Sequence, residues 1–206
     1  MPAPLQFGFT RASRLTMKKF RVGDGDAGVT ATIKLMQGQV FGKEGVGSGE
    51  VRRAALEAVR GVARGMSEIF AVFQWVKDNI EFRGEYAETL QSPLVTLQLG
   101  AGDCDDHSML LAALYECLGM ETRFNTVSTG GEHDEFSHVF CEVRERLTKQ
   151  WIPVDTTVRQ SYPGWSSREI RRSQIRQARP PADRNIGLLA GILAAGALYL
   201  YTKKKG

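Results

Sequence analysis

Cysteine is scarce in this sequence, where Cys104, Cys117 and Cys141 are the only three among 206 residues. An odd number of cysteines without close, regular spacing excludes a disulfide-stapled secreted domain and favours free thiols in a reducing compartment. Residues 1–5 and the polar residues after them also lack the basic flank and apolar run of a secretory signal. No export signal is therefore predicted at this end.

An excess of positive charge is missing from most of the chain. The formal net charge is +4, but six arginines lie between residues 168 and 184 against two acidic residues, and three lysines lie at 203–205. The rest of the chain is close to neutral. Because nucleic-acid-binding domains carry a basic face, nucleic acid is not an expected partner of this body.

Apolar stretches of membrane-spanning length are absent until the end of the chain. Residues 186–201, from Ile186 to Tyr201, contain no charged side chain. Sixteen residues is slightly shorter than the roughly 20 that a spanning helix needs. The flanking tyrosines and lysines suit a membrane interface, and small residues spaced four apart suit close helix packing. We expect this segment either to cross a membrane, with the body in the cytoplasm, or to dock on a protein partner.

The composition is that of an ordinary globular protein, with 42% hydrophobic and 24% charged residues. Four regions are predicted along the chain. A strand-rich extension occupies residues 1–49, and a core domain occupies 50–160. A basic linker rich in proline and arginine follows at 161–185, and a hydrophobic helix at 186–202 ends the chain.

The first region is predicted to contain two strands, at residues 15–22 and 29–40, on either side of a turn at 23–28 that is rich in glycine and aspartate. This turn superficially resembles a cation-binding loop. It lacks the twelve-residue spacing and terminal glutamate of a calcium hand, so no metal is predicted there.

Two amphipathic helices open the core domain. Apolar residues recur at spacings of three and four, which is the pattern of a buried helical face. The first stripe is Val51, Ala54, Ala55, Ala58, Val59 and Val62, and the second is Ile69, Val72, Phe73, Val76 and Ile80. A short segment at 94–99, a helix from Asp103 to Leu118, and strands at 121–127, 138–143 and 150–155 complete the predicted core.

Cys104 lies at the predicted start of a helix, directly after the glycine-rich segment 100–102. Asp103 is a good N-cap residue for this helix. The free amides and the positive end of the helix dipole favour a thiolate at this position, and the Cys104 amide is a candidate oxyanion donor. Asp105 and Asp106 oppose the thiolate by charge repulsion. A cationic partner is therefore expected, and histidine is the natural choice.

His138 and Asp155 are the candidate partners of this cysteine. His138 opens a strand whose alternation places Val139, Cys141 and Val143 on one face. Asp155 closes the next strand. Two adjacent antiparallel strands can hold a histidine and an aspartate side by side, where the carboxylate fixes the imidazole tautomer. This arrangement is typical of a nucleophilic cysteine that attacks an acyl carbon.

A zinc site is the alternative interpretation of the same residues. Cys104, His107, His133 and His138 offer the thiolate and imidazole ligands that zinc prefers. This reading leaves Asp155 without a role, and a strand and a loop separate the histidines. On the cysteine-nucleophile reading, His107 lies on the helix surface or just behind the site, and Cys117 and Cys141 are structural thiols.

Five segments together resemble the transglutaminase-like superfamily. They are 75–82 (WVKDNIEF), 91–93 (QSP), 102–106 (GDCDD), 138–143 (HVFCEV) and 151–157 (WIPVDTT), so the resemblance covers about residues 68–157. The GDCDD segment is similar to that of small bacterial and phage members. Phe140 departs from the family pattern, in which a tryptophan often follows the histidine by two residues.

This resemblance implies an α+β, papain-like core with a catalytic triad at Cys104, His138 and Asp155, and with no metal or cofactor. It also implies that Gln91 or Gln98 supplies a second oxyanion donor. Members of the superfamily include proteases, peptide amidases, acyl transferases and domains without known catalysis, so the substrate does not follow from the family.

Two functions are consistent with these features. The first is a membrane- or particle-anchored, cysteine-dependent hydrolase or acyl transferase that acts on a peptide, isopeptide or amide bond. The second is a structural or assembly component of a phage virion. Such a component would keep the fold for binding, or would cleave cell-wall peptides during entry.

Overall fold

The computed structural model describes residues 18–19, 25–84, 89–128, 135–167 and 169–180. Five helices lie within these ranges: α1 (Gly25–Val40), α2 (Gly49–Ala58), α3 (Met66–Asn79), α4 (Pro93–Leu99) and α5 (Cys104–Cys117). The strands there are β1 (Lys18–Lys19), β2 (Glu81–Phe82), β3 (Thr89–Leu90), β4 (Ala101–Gly102), β5 (Thr122–Ser128), β6 (His138–Arg144), β7 (Trp151–Val154) and β8 (Arg172–Gln177).

An antiparallel sheet of four strands, in the order β7-β6-β5-β8, forms one layer of the fold. Its centre is the pair of β5 and β6, which runs in register from Thr122 opposite Val143 to Val127 opposite His138. Side chains alternate between the two faces of a strand. Val139, Cys141 and Val143 accordingly belong to the buried core, as the alternation predicts.

Helix α5 lies at the centre of the other layer and packs against β6 of the sheet. Its residues from Asp106 to Tyr115 are all buried. The Tyr115 hydroxyl donates a hydrogen bond to the Ile69 carbonyl in α3 at 2.8 Å. A helix that is buried on all sides is held in place by its neighbours, so its first residue, Cys104, has a fixed position relative to the sheet. The predicted α+β class, with Cys104 at the start of a helix packed on an antiparallel sheet, is confirmed.

Two short strand pairs shape the approach to α5. Strand β2 pairs in parallel with β4, with Glu81 opposite Ala101 and Phe82 opposite Gly102. Because Gly102 precedes Cys104 by two residues, this pair brings Phe82 close to the start of α5. Strand β3 pairs with β1 in an antiparallel arrangement.

The two predicted helical stripes of the core domain are confirmed, with one exception. Ser48 caps α2, and its hydroxyl accepts hydrogen bonds from the amides of Glu50 and Val51. Helix α2 ends at Ala58, which is earlier than the apolar pattern predicts. Val62 therefore lies beyond the helix and is 37% exposed.

The strand predicted at residues 29–40 is wrong, because this segment belongs to α1. Its β-branched residues gave it strand propensity, which is a weak preference that packing overrides. Ile33, Met36 and Val40 are spaced by three and four residues, and all are at most 4% exposed. The buried helical face of these three side chains decides the structure of the segment.

The linker predicted at residues 161–185 contains a strand, β8. It pairs with β5 from Arg123 opposite Gln177 to Ser128 opposite Arg172. Most of its side chains are exposed or half-buried, so the strand carries no apolar alternation. Backbone hydrogen bonds to β5 hold β8 at the edge of the sheet. Such pairing does not require an apolar pattern, so the amino-acid composition does not indicate it.

The hydrophobic helix predicted at 186–202 lies outside the described residues. Within the ranges that the structure describes, no helix has both the length and the apolar character that crossing a membrane requires.

Candidate active site

A reciprocal capping arrangement fixes the start of α5. The Asp103 side chain accepts hydrogen bonds from the amides of Asp105 and Asp106, at 3.0 and 3.2 Å. Asp106 in turn accepts one from the Asp103 amide at 3.3 Å. Such a capping box satisfies amides that would otherwise lack partners in the first turn of a helix. Cys104 is the first residue of this rigid turn.

Cys104 lies against the backbone of Val139, the residue that follows His138. The Val139 amide lies close enough to the Cys104 sulfur to lower the pKa of its thiol. The Val139 carbonyl accepts one from the hydroxyl of Ser108 at 3.1 Å. Cys104 and Ser108 are four residues apart and therefore lie on the same helix face. These contacts join α5 to the start of β6, so the cysteine contacts the sheet one residue away from the candidate base.

The Cys104 thiol is protonated near neutral pH. Burial, followed by the charges of Asp105 and Asp103, raises its pKa to about 12, and the amides of Val139 and Asp105 only partly oppose this. The helix dipole was expected to favour a thiolate here, and these effects outweigh it. The sequence predicts that Cys104 needs a partner to take the thiol proton, and the raised pKa strengthens this need.

His138 and Asp155 form a direct pair. The distance from His138 Nε2 to Asp155 Oδ2 is 2.7 Å. The other carboxylate oxygen of Asp155 accepts hydrogen bonds from the Thr157 amide and hydroxyl at 3.0 and 2.6 Å. Burial acts to raise the pKa of Asp155, but the bond and charge of His138, together with Thr157, hold it below its usual value. Asp155 is therefore an anion that orients the imidazole and leaves Nδ1 for chemistry.

Asp106 is a buried carboxyl group that braces the loop before α5. It accepts a hydrogen bond from the Gln91 amide at 2.8 Å. Burial and the charge of Asp103 raise its pKa to about 7. A Cβ atom at position 102 would lie 2.6 Å from the Asp106 Cβ, so the close approach of this loop requires Gly102. The charges that oppose a Cys104 thiolate are those of Asp105 and Asp103, whereas Asp106 was expected in place of Asp103.

His107 is buried, with 1% of its surface exposed. Its Nδ1 lies 2.8 Å from the hydroxyl of Thr156, and its Nε2 lies 3.4 Å from the Glu81 carbonyl. Burial lowers its pKa, so the imidazole is neutral. Of the two positions considered for His107, the one behind the site is correct. The contact with Thr156, next to Asp155, links the cysteine helix to the loop that carries the carboxylate.

The zinc alternative loses support from this geometry. Both ring nitrogens of His107 have protein partners, and Nε2 of His138 is bonded to Asp155. His133 lies outside the described residues. Among the residues that the structure describes, no group of three or more histidine, cysteine, aspartate or glutamate side chains is arranged to hold a metal ion.

The two candidate oxyanion donors differ in their surroundings. Gln98 donates its side-chain amide to Glu50 of α2 at 3.1 Å, so that amide is already used. Gln91 is 3% exposed. Its side-chain oxygen has no hydrogen-bond partner in the described part of the chain. An amide oxygen does not donate, so the role of Gln91 as second donor stays a prediction, and Gln98 is the poorer candidate because its amide is already used.

The other two cysteines lie in surroundings typical of thiols that only pack in the fold. Cys117 and Cys141 are free thiols, and Cys141 is fully buried. The Cys117 sulfur lies 3.9 Å from the Val46 carbonyl. Burial raises the pKa of both thiols. Among the described residues, the hydrogen bonds of these two thiols go to backbone carbonyls, those of Val46 and Glu142.

A cavity of about 340 Å³ adjoins the histidine–aspartate pair. His138 and Asp155 lie in its wall, and Cys104 does not. Phe82 from β2 and Trp165 from the segment between β7 and β8 close it on other sides. Spacing alone did not indicate this cavity, because its wall comes from segments far apart in the chain.

Several solved structures are similar to part of this chain. A putative cysteine protease from Cytophaga hutchinsonii is 20% identical with a TM-score of 0.46, and covers 62% of this chain and 46% of its own. A putative protease from Parabacteroides distasonis is 10% identical with a TM-score of 0.49, and covers 73% and 29%. A TGase is 16% identical with a TM-score of 0.41, and covers 66% and 34%. The chain thus spans less than half the length of each of these structures.

The sequence also allows a direct family assignment. It matches none of the curated proteins. The family model of the transglutaminase-like superfamily matches residues 52–156, which is just over half of the chain and includes Cys104, His138 and Asp155. The chain therefore belongs to the transglutaminase-like superfamily.

Proposed function

We propose that this protein is a cysteine-dependent hydrolase or acyl transferase that acts on peptide, isopeptide or amide bonds. Cys104 is the nucleophile, His138 the base, and Asp155 the carboxylate that orients it. The observation that carries this proposal is the 2.7 Å bond between His138 and Asp155, next to the Val139 carbonyl that accepts a hydrogen bond from Ser108 of the Cys104 helix. Family membership supports the same class of chemistry.

The protonated thiol determines the first step. Since the pKa of Cys104 is about 12, no thiolate is stored in the resting site. His138 Nδ1 takes the thiol proton as the sulfur attacks the acyl carbon, and Asp155 stabilises the imidazolium that forms. The Cys104 amide and the side chain of Gln91 are the candidate donors to the oxyanion, because the amides of Asp105 and Asp106 already donate to Asp103.

The later steps return the site to its starting state. The imidazolium gives its proton to the leaving amine as the carbon–nitrogen bond breaks, which leaves a thioester on Cys104. Water or a second amine then attacks the thioester while His138 accepts its proton. The sulfur leaves as thiolate and recovers the proton from His138. Hydrolysis and transfer differ only in which nucleophile reaches the thioester.

A thiol-directed acyl probe tests the nucleophile. Mass spectrometry of the wild-type chain should find the acyl group on Cys104, and the Cys104→Ala chain should remain unmodified. Cys117 and Cys141 serve as internal controls because burial also raises the pKa of their thiols. Acylation of either control in place of Cys104 would refute the assignment.

A second candidate function is a binding or assembly component, such as a virion protein, that keeps the fold without turnover. The high pKa of the Cys104 thiol favours this alternative, since an inert thiol is suited to binding alone. A Cys104→Ala chain that supports assembly or infection as well as the wild type would favour it. A loss of function with an intact fold would favour the enzyme.

We also propose that residues 186–201 anchor the body, either in a membrane with the body in the cytoplasm or on a protein partner. The absence of charge in this segment motivates the proposal. Removal of residues 181–206 should move the protein from the membrane fraction to the supernatant. An unchanged distribution would argue against a membrane anchor.

A further inference from the structure

The wall of the cavity beside His138 combines apolar side chains with the hydroxyls of Ser137, Thr157, Ser166 and Ser167. Its apolar side chains are Phe82, Val127, Phe140, Val158, Trp165 and Ile170. They come from β2, β5, β6 and the segment that joins β7 to β8. At about 340 Å³, the cavity is within the size range of small-ligand sites, which span roughly 300–1,000 Å³.

Charge is nearly absent from this wall. Among the lining residues that the structure describes, there is no lysine, arginine or glutamate. The one carboxylate is that of Asp155, and both of its oxygens are occupied by His138 and Thr157. A charged ligand group would lose its hydration in this cavity without gaining an ionic partner, so an uncharged apolar group is favoured.

Hydrogen bonds hold the segment between β7 and β8 in place. The Gly164 amide donates to the Pro153 carbonyl of β7 at 2.8 Å, next to Trp165. Lys77 of α3 donates to the carbonyls of Val158 and Arg159 at 3.1 and 2.8 Å. Since these bonds tie the wall to the sheet and to α3, the cavity is a built part of the fold.

The position of the cavity relative to the site determines which part of a substrate it can take. The acyl carbon bonds to Cys104, which does not line the cavity, whereas the leaving nitrogen must reach His138, which does. A group that fills the cavity is therefore on the leaving-group side of the scissile bond. In a transfer reaction, the incoming amine attacks the thioester by the reverse of the step in which the leaving amine departs. It would therefore use the same position.

We propose that this cavity is the leaving-group subsite, and that it takes a large apolar or aromatic side chain of the residue that carries the departing or incoming amine. The proposal rests on the function assigned above. Peptides with phenylalanine or leucine after the scissile bond are then the preferred class. A lysine or glutamate side chain at that position is disfavoured.

Binding to the Cys104→Ala chain tests the subsite without turnover. Phenylalaninamide, leucinamide, glycinamide, lysinamide and glutamic acid α-amide are titrated against this chain, with chemical shifts as the readout. Phenylalaninamide and leucinamide should bind at least about tenfold more tightly than glycinamide, because they bury an apolar side chain. Equal affinities, or preferred binding of the lysine or glutamate compound, would overturn the proposal.

A matched pair of substitutions locates the site. Ile170 lines the cavity, whereas Ile175 lies on β8, outside the wall, and is 40% exposed. In the Cys104→Ala background, Ile170→Ala should weaken phenylalaninamide binding by about tenfold, and Ile175→Ala should leave it unchanged. Equal effects of the two substitutions would place the ligand elsewhere. Thermal unfolding of both variants shows that each is folded.

The acylated form of Cys104 shows on which side of the scissile bond phenylalaninamide binds. Phenylalaninamide should accelerate the loss of the acyl group from wild-type Cys104 more than glycinamide does, because it presents its amine from the leaving-group side. Slower acylation without faster loss would place it on the acyl side and overturn the proposal. If Cys104 is never acylated but the pattern of binding and substitution holds, the catalytic assignment fails and the apolar specificity of the cavity stands as a binding site for such amines.

Discussion

At the scale of single residues, the surroundings of the Cys104 thiol matter most for the proposed chemistry, because they control its ionisation. Burial, Asp105 and Asp103 all oppose its ionisation, in that order. In a site of this kind the histidine must remove the proton during attack, because a stored ion pair is not available. Reactivity toward simple alkylating reagents therefore depends on the local charges as well as on His138.

Asp105→Asn should make Cys104 more reactive. Removing the neighbouring negative charge lowers the pKa of the thiol, and alkylation by iodoacetamide at pH 8 should become about threefold faster or more. Asp78→Asn, on the surface of α3, is the matched control and should leave the rate unchanged. A rate that stays constant or falls in the Asp105 variant would contradict the assigned role of this charge.

His107 should make the fold sensitive to acid. Burial lowers its pKa from 6.5, so the unfolded chain binds a proton at a pH where the folded chain does not. The contribution of His107 to the free energy of unfolding is therefore fully present above pH 6.5. It is lost as the pH falls through the lower pKa of the folded state.

Urea unfolding at several pH values measures this effect. In His107→Gln, which removes the titrating ring, the loss of stability below pH 6.5 should be smaller than in the wild type. We also expect the variant to lose about 1–3 kcal/mol at neutral pH, because a buried partner of Thr156 is changed. Parallel pH curves for the two chains would show that His107 is not the titrating group.

Residue types and spacing indicated only a cysteine at a helix start with a possible histidine partner, and the resemblance to the transglutaminase-like superfamily pointed to the triad of Cys104, His138 and Asp155. The link between His107 and Thr156 spans 49 positions of sequence, and no spacing rule reveals it. The choice between Gln91 and Gln98 likewise depended on the contact of Gln98 with Glu50 in another helix.

At the scale of elements, the start of α5 is a tightly constrained joint. Gly102 and Asp106 pack so closely that no side chain fits at position 102. Added atoms in a close-packed region force the backbone to move, which costs free energy.

Gly102→Ala should lower the free energy of unfolding by about 1–3 kcal/mol and slow acylation of Cys104. Gly49→Ala, at the start of α2, is the control, since nothing lies within 4 Å of a Cβ there. It should be neutral or slightly stabilising. Denaturant midpoints compare the two variants, and equal midpoints would show that the approach at Gly102 tolerates a methyl group.

Elements with strong apolar periodicity were predictable, and elements without it were not. The stripes of α3 and α5 and the alternation of β6 appear directly in the sequence. Helix α1 was misread because its valine, threonine and isoleucine residues favour strands locally, although its buried face has helical spacing. Strand β8 is polar, and its pairing with β5 is visible only in three dimensions.

At the scale of the whole molecule, the helical layer carries the candidate nucleophile, and the sheet carries its candidate partners. Helix α5 delivers Cys104 to the start of β6, and the adjacent β7 delivers Asp155 to His138. The segment between β7 and β8 lines a cavity next to the histidine.

The pH dependence of Cys104 acylation tests the central claim most directly. The second-order rate constant is measured with one acyl probe in the wild type, His138→Gln and Asp155→Asn. Loss of the general base should reduce the rate by about 10²- to 10⁴-fold in His138→Gln and remove the titration of the base from the pH profile. Asp155→Asn should also be slowed, because the imidazole loses the carboxylate that orients it. Rates and pH profiles that match the wild type in both variants would contradict the triad.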